Sequence, residues 1–290
     1  MSDTSHPSSP LPEALEITSP APLIDIGANL THESFERDLD ATLDRAHRAN
    51  VTALIVTGAD LEGAQRAKAL ADHRAGLFAT AGLHPHHAGA WDDTLEASMR
   101  ALHQSDSVVA VGECGLDFHR DFTPREQQQR AFEAQLALAA ESGLPLFLHE
   151  RDAGSRMLEM LHEWRDRLSN AVVHCFTGDR KTLHGYLDLD LHIGQTGWIS
   201  DERRGHHLRE FVADIPSNRL MVETDCPYLL PRNLPAKLKG RRHEPALLPW
   251  IVRELAHWRG ETEQTLAERS TQTAANFFRL PIQTTMGQDT

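Results

Sequence analysis

The stretch VVAVGECGLD, Val108 to Asp117, is followed by REQQQRAFEAQLALAAESG, Arg125 to Gly143, and then by PLFLHE, Pro145 to Glu150. Together they read as strand, helix, strand. The outer pieces are short apolar runs that end in acid or imidazole, the pattern of a buried strand reaching a polar edge. The middle piece starts after Thr123-Pro124 and stops at Gly143, ordinary signals for opening and closing a helix.

Outward from this unit the alternation continues. LIDIGAN (Leu23 to Asn29), ALIVTGA (Ala53 to Ala59) and LFATAGLH (Leu77 to His84) precede it. AVVHCF (Ala171 to Phe176), LHIGQTG (Leu191 to Gly197) and LMVETD (Leu220 to Asp225) follow. Amphipathic stretches such as SFERDLDATLDRAHRAN lie between, and ALLPWIVRELAHWRG and EQTLAERSTQTAANFFRL come last. Strands alternating with helices make a parallel sheet, and about eight such units close a barrel. The expected fold is α/β, a (β/α)8 TIM barrel of the metal-dependent hydrolase type over residues 23–280, with an extra C-terminal helix. A doubly wound open sheet competes, and periodicity alone does not separate the two.

The length of 290 residues suits one barrel, which typically uses about 250. Residues 1–22, rich in Ser, Pro and Thr, are expected to be a disordered extension, and 281–290 a frayed tail. The start has neither the basic residues nor the apolar core of a secretory signal. No apolar run approaches the roughly 20 residues of a membrane span. A cytoplasmic location is the expectation, and three scattered cysteines suit a reducing compartment. The net charge of −13 argues against a protein that coats duplex nucleic acid, but not against one meeting it at a small metal-loaded pocket.

Asp25, His84, Glu113, His149, His174 and Asp225 each follow an apolar run. In a parallel barrel that end of the strand is the active face. A polar group buried there costs several kcal/mol unless it is paired or bound to metal. Singly, each has a bland reading: a hydrogen-bonded structural histidine, a turn-capping Glu113, an Asp225 serving as helix cap. Jointly, imidazoles and carboxylates make a divalent-cation site with room for water and a substrate oxygen. In GLHPHHAG, His84 is expected in the pocket, with His86 and His87 on the loop. Cys114, Cys175 and Cys226 directly follow Glu113, His174 and Asp225, so strand alternation expects their thiols to face the helix layer.

In order, the segments DIGANL, AGLHPH, GECGLDF, LHERDA, HCFTG, GWISDERRG, ETDCPYLLPR and RRHEPA resemble the TatD family of metal-dependent deoxyribonucleases. The resemblance runs from Leu23 to the last helix. It implies an amidohydrolase-type TIM barrel, magnesium-dependent hydrolysis of DNA, and 3′–5′ exonuclease action on single strands. It also implies Glu113, His149 and His174 as metal ligands, with Asp225 completing the site. The wider family ends its first strand in Asp-x-His-x-His, whereas Asp25, Gly27 and Asn29 stand here. One tight metal site and at most one weak one are expected, for magnesium, with manganese or zinc as alternatives.

Asp225 is expected to orient or deprotonate the attacking water, assisted by Glu223, and His84 to donate to the phosphate or leaving oxygen. Arg232 and Arg204 are the expected substrate clamps, with Arg203, Arg241 and Arg242 behind them. Phe118, Trp198 and Tyr228 are the aromatics near the mouth, so base stacking is expected to be limited. Single-stranded DNA or RNA is the expected substrate, and a monomer the expected state. Rival readings are a small-molecule amidohydrolase or phosphoesterase, an aminoacyl-RNA ester hydrolase, and a noncatalytic metal-loaded scaffold.

Overall fold

The computed structural model describes residues 11–281. Eight parallel strands run in chain order around one sheet. They are β1 (Leu23–Ala28), β2 (Val51–Val56), β3 (Leu77–Ala81), β4 (Val108–Asp117), β5 (Leu146–Arg151), β6 (Ala171–Val173), β7 (His192–Gln195) and β8 (Leu220–Val222). Helices α1 (Leu39–Arg48), α2 (Leu61–His73), α3 (Asp93–Leu102), α4 (Arg125–Ser142), α5 (Gly154–Trp164) and α6 (Arg180–Asp188) cross between consecutive strands. The β7–β8 connection holds only short 3₁₀ turns, and α7 (Leu248–Arg259) and α8 (Glu263–Phe277) end the chain. Helix α4 begins directly after Pro124 and stops at Gly143, whose φ of 71° is the left-handed cap that glycine adopts without a Cβ clash.

The ends of the sheet meet. Asp225 N donates to Gly27 O at 2.8 Å, Asn29 N donates to Cys226 O at 2.8 Å, and Ala28 bridges Cys226. Asp25 reinforces this seam, accepting from Thr224 N at 2.9 Å and Thr224 Oγ1 at 2.6 Å. The closed cylinder excludes the doubly wound alternative.

Two apolar layers follow from strand alternation. Ile24, Ile26, Ala53, Ile55, Phe147, Val172 and Met221 fill the interior, together with Ala274, Ala275, Phe277, Phe278 and Leu280 from the end of α8. The residues at and just beyond the end of the last helix therefore close the floor of the barrel. The opposite strand faces pack against the surrounding helices. Outside that layer, Arg45 of α1 binds Glu244 through two hydrogen bonds of 2.6 and 2.8 Å, and Arg242 grips Asp38 at 2.7 Å through each of two nitrogens.

One expectation needs correcting. Residues 11–22 are not a loose extension: Leu11, Leu15 and Ala21 are buried in the outer core, and Trp250 Nε1 donates to Leu15 O at 3.1 Å. A Pro- and Ser-rich composition masked two well-spaced leucines with a surface to cover. Residues 1–10 and 282–290, the rest of the expected extension and nearly all of the expected tail, lie outside the described residues. Among the described residues no helix is long and apolar enough to cross a membrane.

Two outcomes test this fold. Leu15→Ala should destabilise the protein by about 2–4 kcal/mol in urea unfolding, the usual cost of emptying a closed leucine site; an unchanged midpoint would return the segment to solvent. Asp25→Ala removes an acceptor from buried Thr224 N–H and should cost about 1–3 kcal/mol. Burial raises the Asp25 carboxyl from 3.8 to about 7. Its contribution is therefore complete below about pH 4 and is lost as pH rises through about 7. The variant should accordingly be penalised more at mildly acid pH than at alkaline pH in thermal unfolding.

Candidate functional site

Strand ends deliver three imidazoles to one carboxylate oxygen. Glu113 Oε1 lies 2.9 Å from His174 Nε2, 3.0 Å from His149 Nδ1 and 3.4 Å from His84 Nε2. These separations match the spacing between ligands of one cation, since donors about 2.1 Å from a common centre stand roughly 3.0–3.4 Å apart. The candidate ligand atoms of His84, Glu113 and His149 all fall within 4.8 Å of one another. A nitrogen-rich donor set with a carboxylate fits a divalent metal ion.

The pocket over this cluster has a volume of about 370 Å³, and Asn29, Asp225, Tyr228 and Trp198 also line it. Burial pushes the Glu113 carboxyl up, but the charges of His84 and His174 and hydrogen bonds with His149 and His174 outweigh it and hold it well below the usual range. Burial lowers His174 too, and Glu113 with Glu223 more than reverses this. Burial brings His84 down to about 4 and pushes Asp225 up to about 7. The two groups expected to move protons are thus shifted in opposite directions by the same burial.

Each expected site residue can now be placed. Glu113, His149, His174 and His84 meet, and Asp225 shares their pocket, its Oδ1 accepting from Asn29 Nδ2 at 3.0 Å. Asp25 does not join them; it is fully buried in the β1–β8 seam. Glu223 stands beneath His174, 3.3 Å from Nδ1, and accepts from Cys175 N at 2.5 Å, which holds the imidazole from behind. A Cβ on Gly27 or on Gly194 would run into the Glu223 carboxylate.

Several expectations are corrected. His86 is not a mere loop residue: the turn Pro85–Ala90 folds it back so that Nε2 lies 2.7 Å from Asp117 Oδ2. Cys175 departs from the outward pattern of buried Cys114 and Cys226 because β6 stops at Val173 and Cys175 takes a φ of 45°; the half-buried thiol lines the pocket. Arg232 and Arg204 do not enter the pocket. Both pair with buried Asp201, at 2.7 and 3.0 Å, beside Trp198. Arg242 is committed to the Asp38 and Glu244 pairs.

Sequence reading passed over two residues. Asp117 Oδ2 lies 3.2 Å from His149 Nε2, so this acid orients the imidazole from the side opposite Glu113. Arg151 lines the pocket, with its guanidinium 5.1 Å from the centre of the Trp198 ring. The signal was alternation: Asp117 lies four residues after Glu113 on β4, and Arg151 two after His149 on β5, so each shares a face with its neighbour.

The model of the TatD related DNase family matches residues 24–279. The 3′–5′ ssDNA/RNA exonuclease TatD of Enterobacter lignolyticus is 49% identical over 256 residues, covering 88% of this chain and 98% of that protein. The protein of the same name from Pantoea vagans is 47% identical over 259 residues, covering 89% of this chain and 100% of that one. Among solved structures, a TatD homologue from Escherichia coli K12 superposes with a TM-score of 0.82 at 29% identity, covering 89% of this chain and 98% of the other. A match running from the first barrel strand to the last helix, with a barrel of the same build, shows that the chain belongs to the TatD-related DNase family.

Proposed function

We propose that this chain is a metal-dependent hydrolase that cleaves the phosphodiester bonds of single-stranded DNA or RNA, releasing nucleotides from the 3′ end. The observation that carries the reading is the convergence of His84, His149 and His174 on Glu113 Oε1 at the active face. The names of the relatives supply the polymer and the direction of attack.

Glu113, His149 and His174 would hold one divalent cation, magnesium with manganese or zinc as alternatives, with Asp225 completing the set. When bound there, the ion would supply Lewis acidity, making water more acidic and drawing charge from a phosphoryl oxygen. Asp225, in the same pocket as the cluster, is assigned to orient the attacking water or take its proton. His84 makes the longest of the three contacts to Glu113 and is assigned to the phosphate or leaving oxygen. Asp117 and Glu223 fix the rings of His149 and His174. Arg151 stands in the pocket where a guanidinium can neutralise phosphate. Arg232 and Arg204, bound to Asp201 at the rim, would meet the strand farther out. With so few cations engaged, affinity should be modest and its salt dependence shallow.

The test is an activity screen over divalent ions on end-labelled DNA and RNA, single- and double-stranded. Metal-stimulated shortening from the 3′ end of single strands is the expected result, abolished by chelation. Glu113→Ala and His174→Ala should each lose more than about 100-fold in activity and weaken metal binding in calorimetry. Full activity in either variant would discard this ligand set. Turnover of nitrophenyl esters or aminoacyl-RNA, with none of DNA or RNA strands, would discard the substrate.

A further inference from the structure

Two aromatic side chains stand in water at the mouth of the barrel. Phe122 is 67% exposed and Tyr228 53%. Among the described residues the third exposed large apolar side chain, Trp258, sits on α7 in the outer layer, with the Arg209 guanidinium 4.9 Å from its ring centre. Apart from Tyr228, the aromatics anticipated from sequence are engaged. Trp198 is buried under Arg204, and Phe118 is half-buried under Arg125 at 4.4 Å.

Phe122 lies on the loop after β4, its ring centre 4.7 Å from that of His86, which lines the metal pocket. Tyr228 lies on the loop after β8, lines the pocket directly and meets the His32 ring edge-on at 5.8 Å. In a ring of eight strands in chain order, β4 and β8 are opposite one another. The two rings thus stand across the mouth with the Glu113 cluster between them.

Both are set in place in advance. Beside Phe122, Thr123 Oγ1 donates to His86 O at 2.9 Å, and Gln128 Nε2 donates to Thr123 O at 2.8 Å. Tyr228 N donates to Asp225 O at 3.0 Å, and Tyr228 O accepts from His243 Nδ1 at 2.8 Å. A preset, exposed ring gives up little freedom when it binds a flat partner.

We propose that Phe122 and Tyr228 are base-stacking plates that bracket the scissile phosphate, one nucleobase lying on each ring while the bond between them rests over the Glu113 cluster. The inference rests on the nuclease reading above and adds the part of the substrate that reading left without a partner. Every base has a π-face, so the plates impose little sequence preference. They do demand bases that are free to splay apart, which a paired strand does not offer.

The experiment measures binding by fluorescence anisotropy. Labelled oligonucleotides carry phosphorothioate linkages at the 3′ end to prevent cutting, with normal bases or with abasic residues at the last two positions. The native protein should favour the normal strand by about 5- to 150-fold for each stacked base. Phe122→Ala and Tyr228→Ala should each remove their own share of that preference, Phe122→Trp should keep it, and Trp258→Ala should behave as the native protein. Equal weakening of both strands, or no weakening of either, overturns the plates. Cleavage of an unmodified strand is followed in parallel. Cleavage without base discrimination sinks the plates and leaves the nuclease standing; discrimination without cleavage does the reverse.

Discussion

One carboxylate oxygen, Glu113 Oε1, is held against three imidazole nitrogens at the end of a barrel whose strands are buried on both sides. Water is largely excluded there, so the acid is kept ionised by neighbouring histidines and not by solvent. Removing a ring leaves an uncompensated charge, and removing the acid leaves imidazoles without a common partner. The surrounding structure answers to that constraint. Asp117 and Glu223 fix two of the rings from the far side, and Gly27 and Gly194 leave the room that Glu223 occupies.

Much of this is legible in the sequence. Eight apolar runs alternating with helical stretches make a parallel sheet, and six of them end in acid or imidazole, so the barrel and the Glu113, His149 and His174 cluster came from the same pattern. Helix α4 was equally plain, because proline and glycine mark its ends through backbone geometry alone. Asp25 followed the same rule and yet serves the seam, since a strand-end acid can also saturate backbone donors on the strand beside it.

What escaped had local causes. Alternation governs residues inside a strand, and Cys175 falls just past the end of β6, where a left-handed φ turns it toward the pocket. His86 depended on a short turn whose fold-back no periodicity encodes. Arg204 and Arg232 looked free because their partner, Asp201, is an unremarkable acid in a loop. Leu11 and Leu15 were hidden by the prolines and serines around them, a composition that describes solubility and not shape. The missing helix between β7 and β8 shows that a barrel closes on its strands, its outer layer being filled here by turns.

The Glu223 carboxylate beside Gly27 has a consequence for redesign of the site. A Cβ added at Gly27 would meet that carboxylate, which also stands 3.3 Å from His174 Nδ1 and accepts from Cys175 N. A designer placing a larger side chain at Gly27 would therefore have to move the acid and find the His174 ring another support.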